Sequence, residues 1–148
     1  MIDENIFEKI CQRIDTYRDD IIELQKILTA IPAVGPINGG DGEMLKSQML
    51  KKCLIEMGFS SFRHYDAPDE RVSAGLRPNF LTVIEGKNKT RNIWIITHLD
   101  IVPPGELNLW NADPYTAYVK DNHIYGRGTE DNQQDMVASL FAVKALQA

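Results

Sequence analysis

With 148 residues, the chain is long enough for one domain with its own core. Its 43% hydrophobic and 25% charged residues are those of an ordinary globular protein. A net charge of −5, with no basic patch interleaved with aromatics, argues against nucleic acid as a partner, and no apolar stretch approaches the roughly 20 residues of a membrane span.

The apolar positions Phe7, Ile10, Ile14, Tyr17, Ile21, Leu24 and Leu28 recur at three- and four-residue steps, which predicts one long first helix laid on a sheet. Pro32 and Pro36, with Gly35, Gly39 and Gly40, break the chain after it. A second helix follows with Leu45, Met49, Cys53 and Met57 turned inward and Gly58 as its stop. Strands are expected over 60–65, 79–85 and 92–97, with the polar segment 85–90 forming a hairpin-like link between the last two. The stretch 66–78 reads as an irregular polar loop. Two short strands, 118–120 and 123–125, flank a turn at Asp121 and Asn122, and return the following glycine-rich loop toward the end of 92–97. Val137, Leu140, Phe141 and Ala145 give the final helix its apolar face. The fold class expected is α/β, a mixed β-sheet with packed helices.

Cys11 and Cys53 fall on predicted helices with no partner spacing, so reduced thiols in a cytoplasm are expected. The acidic N-terminal stretch has no secretory-signal pattern, which agrees.

The chemistry is concentrated near the end of the 92–97 run. His98 and Asp100 are two apart, so on an extended backbone they project together, at a strand end where open α/β folds place their sites. A neutral imidazole suits zinc better than calcium or magnesium, which prefer oxygen ligands. A neighbouring carboxylate that fixes the imidazole tautomer is its usual partner. By itself the pair fits a loop histidine bonded to a neighbour better than it fits a metal site.

Three further segments change that balance: Thr97 through Pro104, then Trp110 through Tyr115 with its Asp113-Pro114, then Gly126-Arg127-Gly128-Thr129-Glu130-Asp131. In this order and spacing they resemble the dinuclear zinc aminoacylase/carboxypeptidase family of acetylornithine deacetylases, succinyl-diaminopimelate desuccinylases, aminoacylases and dipeptidases. Residues 24–36 resemble that family's first helix and its proline turn, and 41–59 its second helix.

The resemblance implies a zinc-exopeptidase-type catalytic domain and two zinc ions, with cobalt or manganese as substitutes. His98 is then a ligand of one ion and Asp131 the bridge between both. Asp100 is the catalytic acidic partner that orients His98. Gly126 and Gly128 shape the turn, with a cis peptide at Asp131-Asn132. It also implies hydrolysis of the amide bond of an N-acyl amino acid or short peptide, in a homodimer.

Two departures stand out. Where the family has Met-Lys-Gly after the bridging aspartate, this chain has Asn132-Gln133-Gln134, without the lysine. The family's general-base glutamate and remaining ligands also lie beyond the Asp131 equivalent. Residues 1–148 are therefore expected to be the N-terminal portion of the catalytic domain, inactive alone, with the rest of that domain and the dimerisation domain elsewhere.

Other residues carry weaker signals. Glu130 is a poor general-base candidate, and Arg127 suits anchoring of its loop to backbone carbonyls. His64 and His123 read as strand or turn histidines. Trp110 and Tyr115 suit packing of the connecting loop. A non-catalytic binding or regulatory module on the same scaffold is the alternative reading. A nucleotide-binding α/β domain is a third, weakened because Gly126 and Gly128 lack the third glycine of that fingerprint.

Overall fold

A computed structural model of the chain describes residues 3–147. The described residues form the α-helices α1 (Glu4–Thr16), α2 (Arg18–Thr29), α3 (Met44–Glu56) and α4 (Asp135–Gln147), of which the last three carry the core. The long first helix expected from periodicity is divided at Tyr17, whose φ of −92° and ψ of 7° leave the α-helical region. Asp3 caps α1 by accepting from the amides of Asn5 and Ile6. The apolar stripe is continuous across the break but is buried only from its second half: α1 has no buried residue, whereas Leu24 and Leu28 on α2 are in the core.

That core joins Leu24 and Leu28 of α2, Leu50, Cys53 and Leu54 of α3, Phe59, and Met136, Val137 and Phe141 of α4. α3 ends in a Schellman turn, in which the Gly58 amide donates to Ile55 O at 3.0 Å and the Phe59 amide to Leu54 O at 2.9 Å. Gly58 takes the left-handed φ of +96° that this turn requires. Phe59 then folds back beside Leu54.

The β structure is divided into three two-stranded antiparallel ladders. β1 (Phe62–His64) pairs with β4 (Phe80–Thr82), β2 (Ala67–Pro68) with β3 (Leu76–Arg77), and β5 (Tyr118–Lys120) with β6 (His123–Tyr125). The segment 66–78, expected to be irregular, thus contains a small ladder. Asp121 and Asn122 both take positive φ, 50° and 60°, as a tight hairpin turn demands.

The expected strand 92–97 is not formed among the described residues, and β4 pairs with β1 rather than with it. An all-apolar run becomes a strand when neighbours pair along its edges and cover its faces. Here Ile93, Trp94, Ile95 and Ile96 are exposed. Regular pairing near this point is the parallel bridge between Val34 and Ile101. Among the described residues, no helix is long and apolar enough to cross a membrane.

Candidate metal centre

Ile101 is the joint on which the site is assembled. Its amide donates to Ala33 O at 3.0 Å, and its side chain is buried, so the triplet His98–Asp100 is fixed against the turn that follows α2. The second half arrives through the β5–β6 hairpin. The Arg127 amide donates to Pro114 O at 2.7 Å, and the Arg127 guanidinium lies over the Trp110 ring while Nη2 reaches Pro104 O at 3.4 Å. Two glycines let this loop press inward. A Cβ on Gly126 would stand 2.8 Å from Thr29 Cγ2, and one on Gly128 would stand 2.6 Å from Ile101 Cγ2. Gly128 also has a φ of +87°, which an L side chain adopts only at a cost. After Gly128 the chain coils from Thr129 to Gln134, opening at Asp131 and Asn132, where the backbone is non-helical and the peptide bond is cis.

These contacts bring His98, Asp100 and Asp131 together. His98 Nε2 lies 3.1 Å from Asp131 Oδ1, and His98 Nδ1 lies 3.1 Å from Asp100 O and 3.2 Å from Asp100 Oδ1. The His98 amide donates to Asn132 Oδ1 at 3.2 Å, and Asn132 Nδ2 donates to Asp135 Oδ2 at 3.1 Å. Both facing groups are open to solvent, the side chains of His98 and Asp131 being 46% and 77% exposed.

The tautomer follows from these partners. Asp100 O is only an acceptor, so Nδ1 carries the proton. Nε2 then turns its lone pair toward Asp131 Oδ1, another acceptor. Two acceptors at 3.1 Å are reconciled by a proton or a metal ion between them. One imidazole nitrogen and one carboxylate oxygen are donors that suit zinc, so the residues present fit part of a metal centre. Among the described residues, no group of three or more His, Cys, Asp or Glu forms a fuller site.

Behind this pair lies a cation that sequence reasoning missed. Lys46 is 0% exposed, and its Nζ donates to Gln133 Oε1 at 3.0 Å. Burial pulls its pKa from 10.5 to about 8, while the charges of Asp100 and then Glu43 push it back up. The expected inward face of α3 began at Leu45, which is instead 69% exposed. The buried face runs Lys46, Ser47, Leu50, Cys53, Leu54, at helical spacing with the lysine in register. A second cation, Arg77, binds Glu43 through Nε at 2.6 Å and through Nη2, and also approaches Asp69. The hydrogen bond to Glu43 first, then the charges of Glu43, Asp100 and Asp69, raise the Arg77 pKa against the opposing effect of burial.

The other histidines stand apart from this arrangement. His64, on β1, has its Nε2 2.9 Å from Lys51 Nζ, and His123 Nδ1 lies 2.7 Å from Asp121 O. A groove of about 640 Å³ is lined by Trp110, His123, Tyr125, Glu130 and Gln134 among others, but not by His98, Asp100 or Asp131.

The chain is similar to several known hydrolases. The chain is 41% identical over 133 residues to an uncharacterised metallohydrolase of Methanococcus maripaludis, covering 86% of this chain and 32% of that protein. It is 32% identical over 128 residues to a succinyl-diaminopimelate desuccinylase of Methylobacillus flagellatus, covering 86% and 30%. The chain therefore spans about a third of the length of the curated relatives it matches. The fold matches the dipeptidase Dug1p of Saccharomyces cerevisiae with a TM-score of 0.79 at 17% identity, over 95% of this chain and 31% of that one. Residues 94–148, which hold His98, Asp100 and Asp131, match the model of peptidase family M20/M25/M40.

Proposed function

We propose that this chain contributes His98 and Asp131 to the metal centre of a hydrolase that cleaves the amide bond of an N-acyl amino acid or a short peptide. The observation that carries the proposal is the approach of His98 Nε2 to Asp131 Oδ1 at 3.1 Å with Nδ1 engaged by Asp100. His98 would hold one ion and Asp131 would be shared between two, zinc first, with cobalt or manganese able to take its place. Bound zinc supplies a water ionised near neutral pH and a Lewis acid for the carbonyl oxygen. Asp100 keeps the proton on Nδ1, so that Nε2 remains free to bind. Asp131 is carried by a loop whose Gly128 lies against Ile101. Lys46 and Arg77 place positive charge around Asp100.

The substrate class is supported by the naming of relatives as desuccinylases and of a structural neighbour as a dipeptidase. Two donors face each other here, whereas a two-ion centre takes more protein ligands than two. The remaining ligands and the general base are therefore proposed to come from elsewhere in the protein. On this reading residues 1–148 are the N-terminal portion of a catalytic domain, with weak metal binding and no turnover alone. The proposal includes a homodimer and a cytoplasmic setting, the latter supported by free cysteines on separate helices.

The test is hydrolysis of a panel of N-succinyl and N-acetyl amino acids and dipeptides by full-length protein freed of metal. Turnover that appears on adding zinc, cobalt or manganese supports the proposal. Substrate binding with no turnover at any metal loading would favour the binding-module alternative.

A further inference from the structure

A buried polar chain runs beside the candidate metal centre and reaches the loop that carries Asp131. Lys46 Nζ donates to Gln133 Oε1 at 3.0 Å. Gln133, itself buried, donates through Nε2 to Thr29 Oγ1 at 3.0 Å and to Gln25 Oε1 at 3.1 Å. Thr29 Oγ1 donates to Gln25 O at 2.8 Å. The Gln133 amide closes back on Gly128 O at 3.2 Å. One amide side chain therefore ties α2, α3 and the Gly128–Gln134 loop together, two residues past Asp131.

The expensive member of this chain is the lysine. An ammonium with no solvent contact is destabilising unless something faces it, and an amide oxygen alone is a weak counterpart. The charges that act on it are those of Asp100 and Glu43. Between Arg127 and Lys144 the sequence contains no basic residue, so the loop that carries Asp131 draws its cation from α3. If Lys46 served packing alone, an apolar residue of similar length would serve as well or better, because replacing buried charge by well-packed hydrophobic groups is often neutral or stabilising.

We propose that Lys46 is a positioning residue for the candidate metal centre: its ammonium, bound to Gln133, holds the loop that carries Asp131 where Asp131 and His98 address one ion. This rests on the metal-centre reading above. The ammonium and the Gln133 amide meet at one point, so the charge can be delivered from either side. That gives a swap test.

Co(II) affinity, read from visible absorption, and thermal midpoint are measured for the full-length protein and for Lys46→Met, Lys46→Met/Gln133→Lys and Asp131→Ala. The expected result is a loss of Co(II) affinity of about 10-fold or more in Lys46→Met, in the range of outer partners of metal ligands, with the thermal midpoint kept or raised. The swap regains most of that affinity. Unchanged affinity in Lys46→Met, beside loss in Asp131→Ala, overturns the role of Lys46 and leaves the metal centre standing. Unchanged affinity in Asp131→Ala overturns the metal-centre reading and this proposal with it. If Lys46→Met alone does not fold, the swap decides: near-normal affinity supports the role, and a folded swap with weak affinity overturns it.

Discussion

Gly128 lies against Ile101 so closely that a Cβ on the glycine would stand 2.6 Å from Ile101 Cγ2. Ile101 follows Asp100 directly, and Gly128 is three residues from Asp131, so this contact sets the distance between the two halves of the site. Gly128→Ala is expected to combine a left-handed backbone cost of about 1–2 kcal/mol with an overpacking cost of about 1–3 kcal/mol. Gly58→Ala is the control, because Gly58 also has a positive φ but nothing within 4 Å of an added Cβ. Chemical denaturation should show Gly128→Ala as the more destabilised, and only that variant should lose metal affinity.

The Asp100 carboxylate is expected to tune His98 rather than to hold metal. Asp100→Asn should therefore weaken zinc binding by about 10–100-fold without abolishing it, as measured by competition with a chelator. Complete loss of binding would make Asp100 a ligand.

Lys46 gives a pH signature. Its pKa is held down from 10.5 to about 8, so between those values the unfolded chain binds more protons than the folded one. Stability contributed at this position then rises with pH from about 8 to 10.5 and is flat below. The thermal midpoint of the natural protein, relative to Lys46→Met, should climb through that window. A constant difference would mean that the ammonium is not buried as described.

Arg77→Met would leave the Glu43 carboxylate, on a residue 5% exposed, without its guanidinium partner. Breaking one side of a buried pair costs about 3–5 kcal/mol, and the partial exposure of Arg77 points to the lower end. The urea midpoint should fall accordingly, and Glu43→Gln in the same protein should recover part of the loss.

Much of this was legible in the residues. The turn at Asp121 and Asn122, the stop at Gly58 and the apolar face of α4 are local signals, and local geometry answered them. The convergence of His98 with Asp131 was legible because ordered motifs constrained a contact that no local rule could. Long-range pairing was not legible. The run 92–97 reads as a buried strand because strand character was inferred from apolarity, whereas pairing depends on neighbours that the run itself does not specify. Lys46 was passed over for a related reason. Polarity put it outside the core face, although Leu50 and Leu54 stand four and eight residues on and mark its side of the helix as the buried one. The break at Tyr17 carries neither proline nor glycine, so periodicity read straight through it.

The most direct test is the turnover of full-length, metal-loaded Asp131→Ala protein on the N-acyl amino acid or dipeptide that the natural protein cleaves. Turnover should fall by more than about 100-fold, beyond the range of an outer partner. Turnover equal to that of the natural protein, with metal bound to the same extent, would contradict the pairing of His98 and Asp131 as the heart of the site.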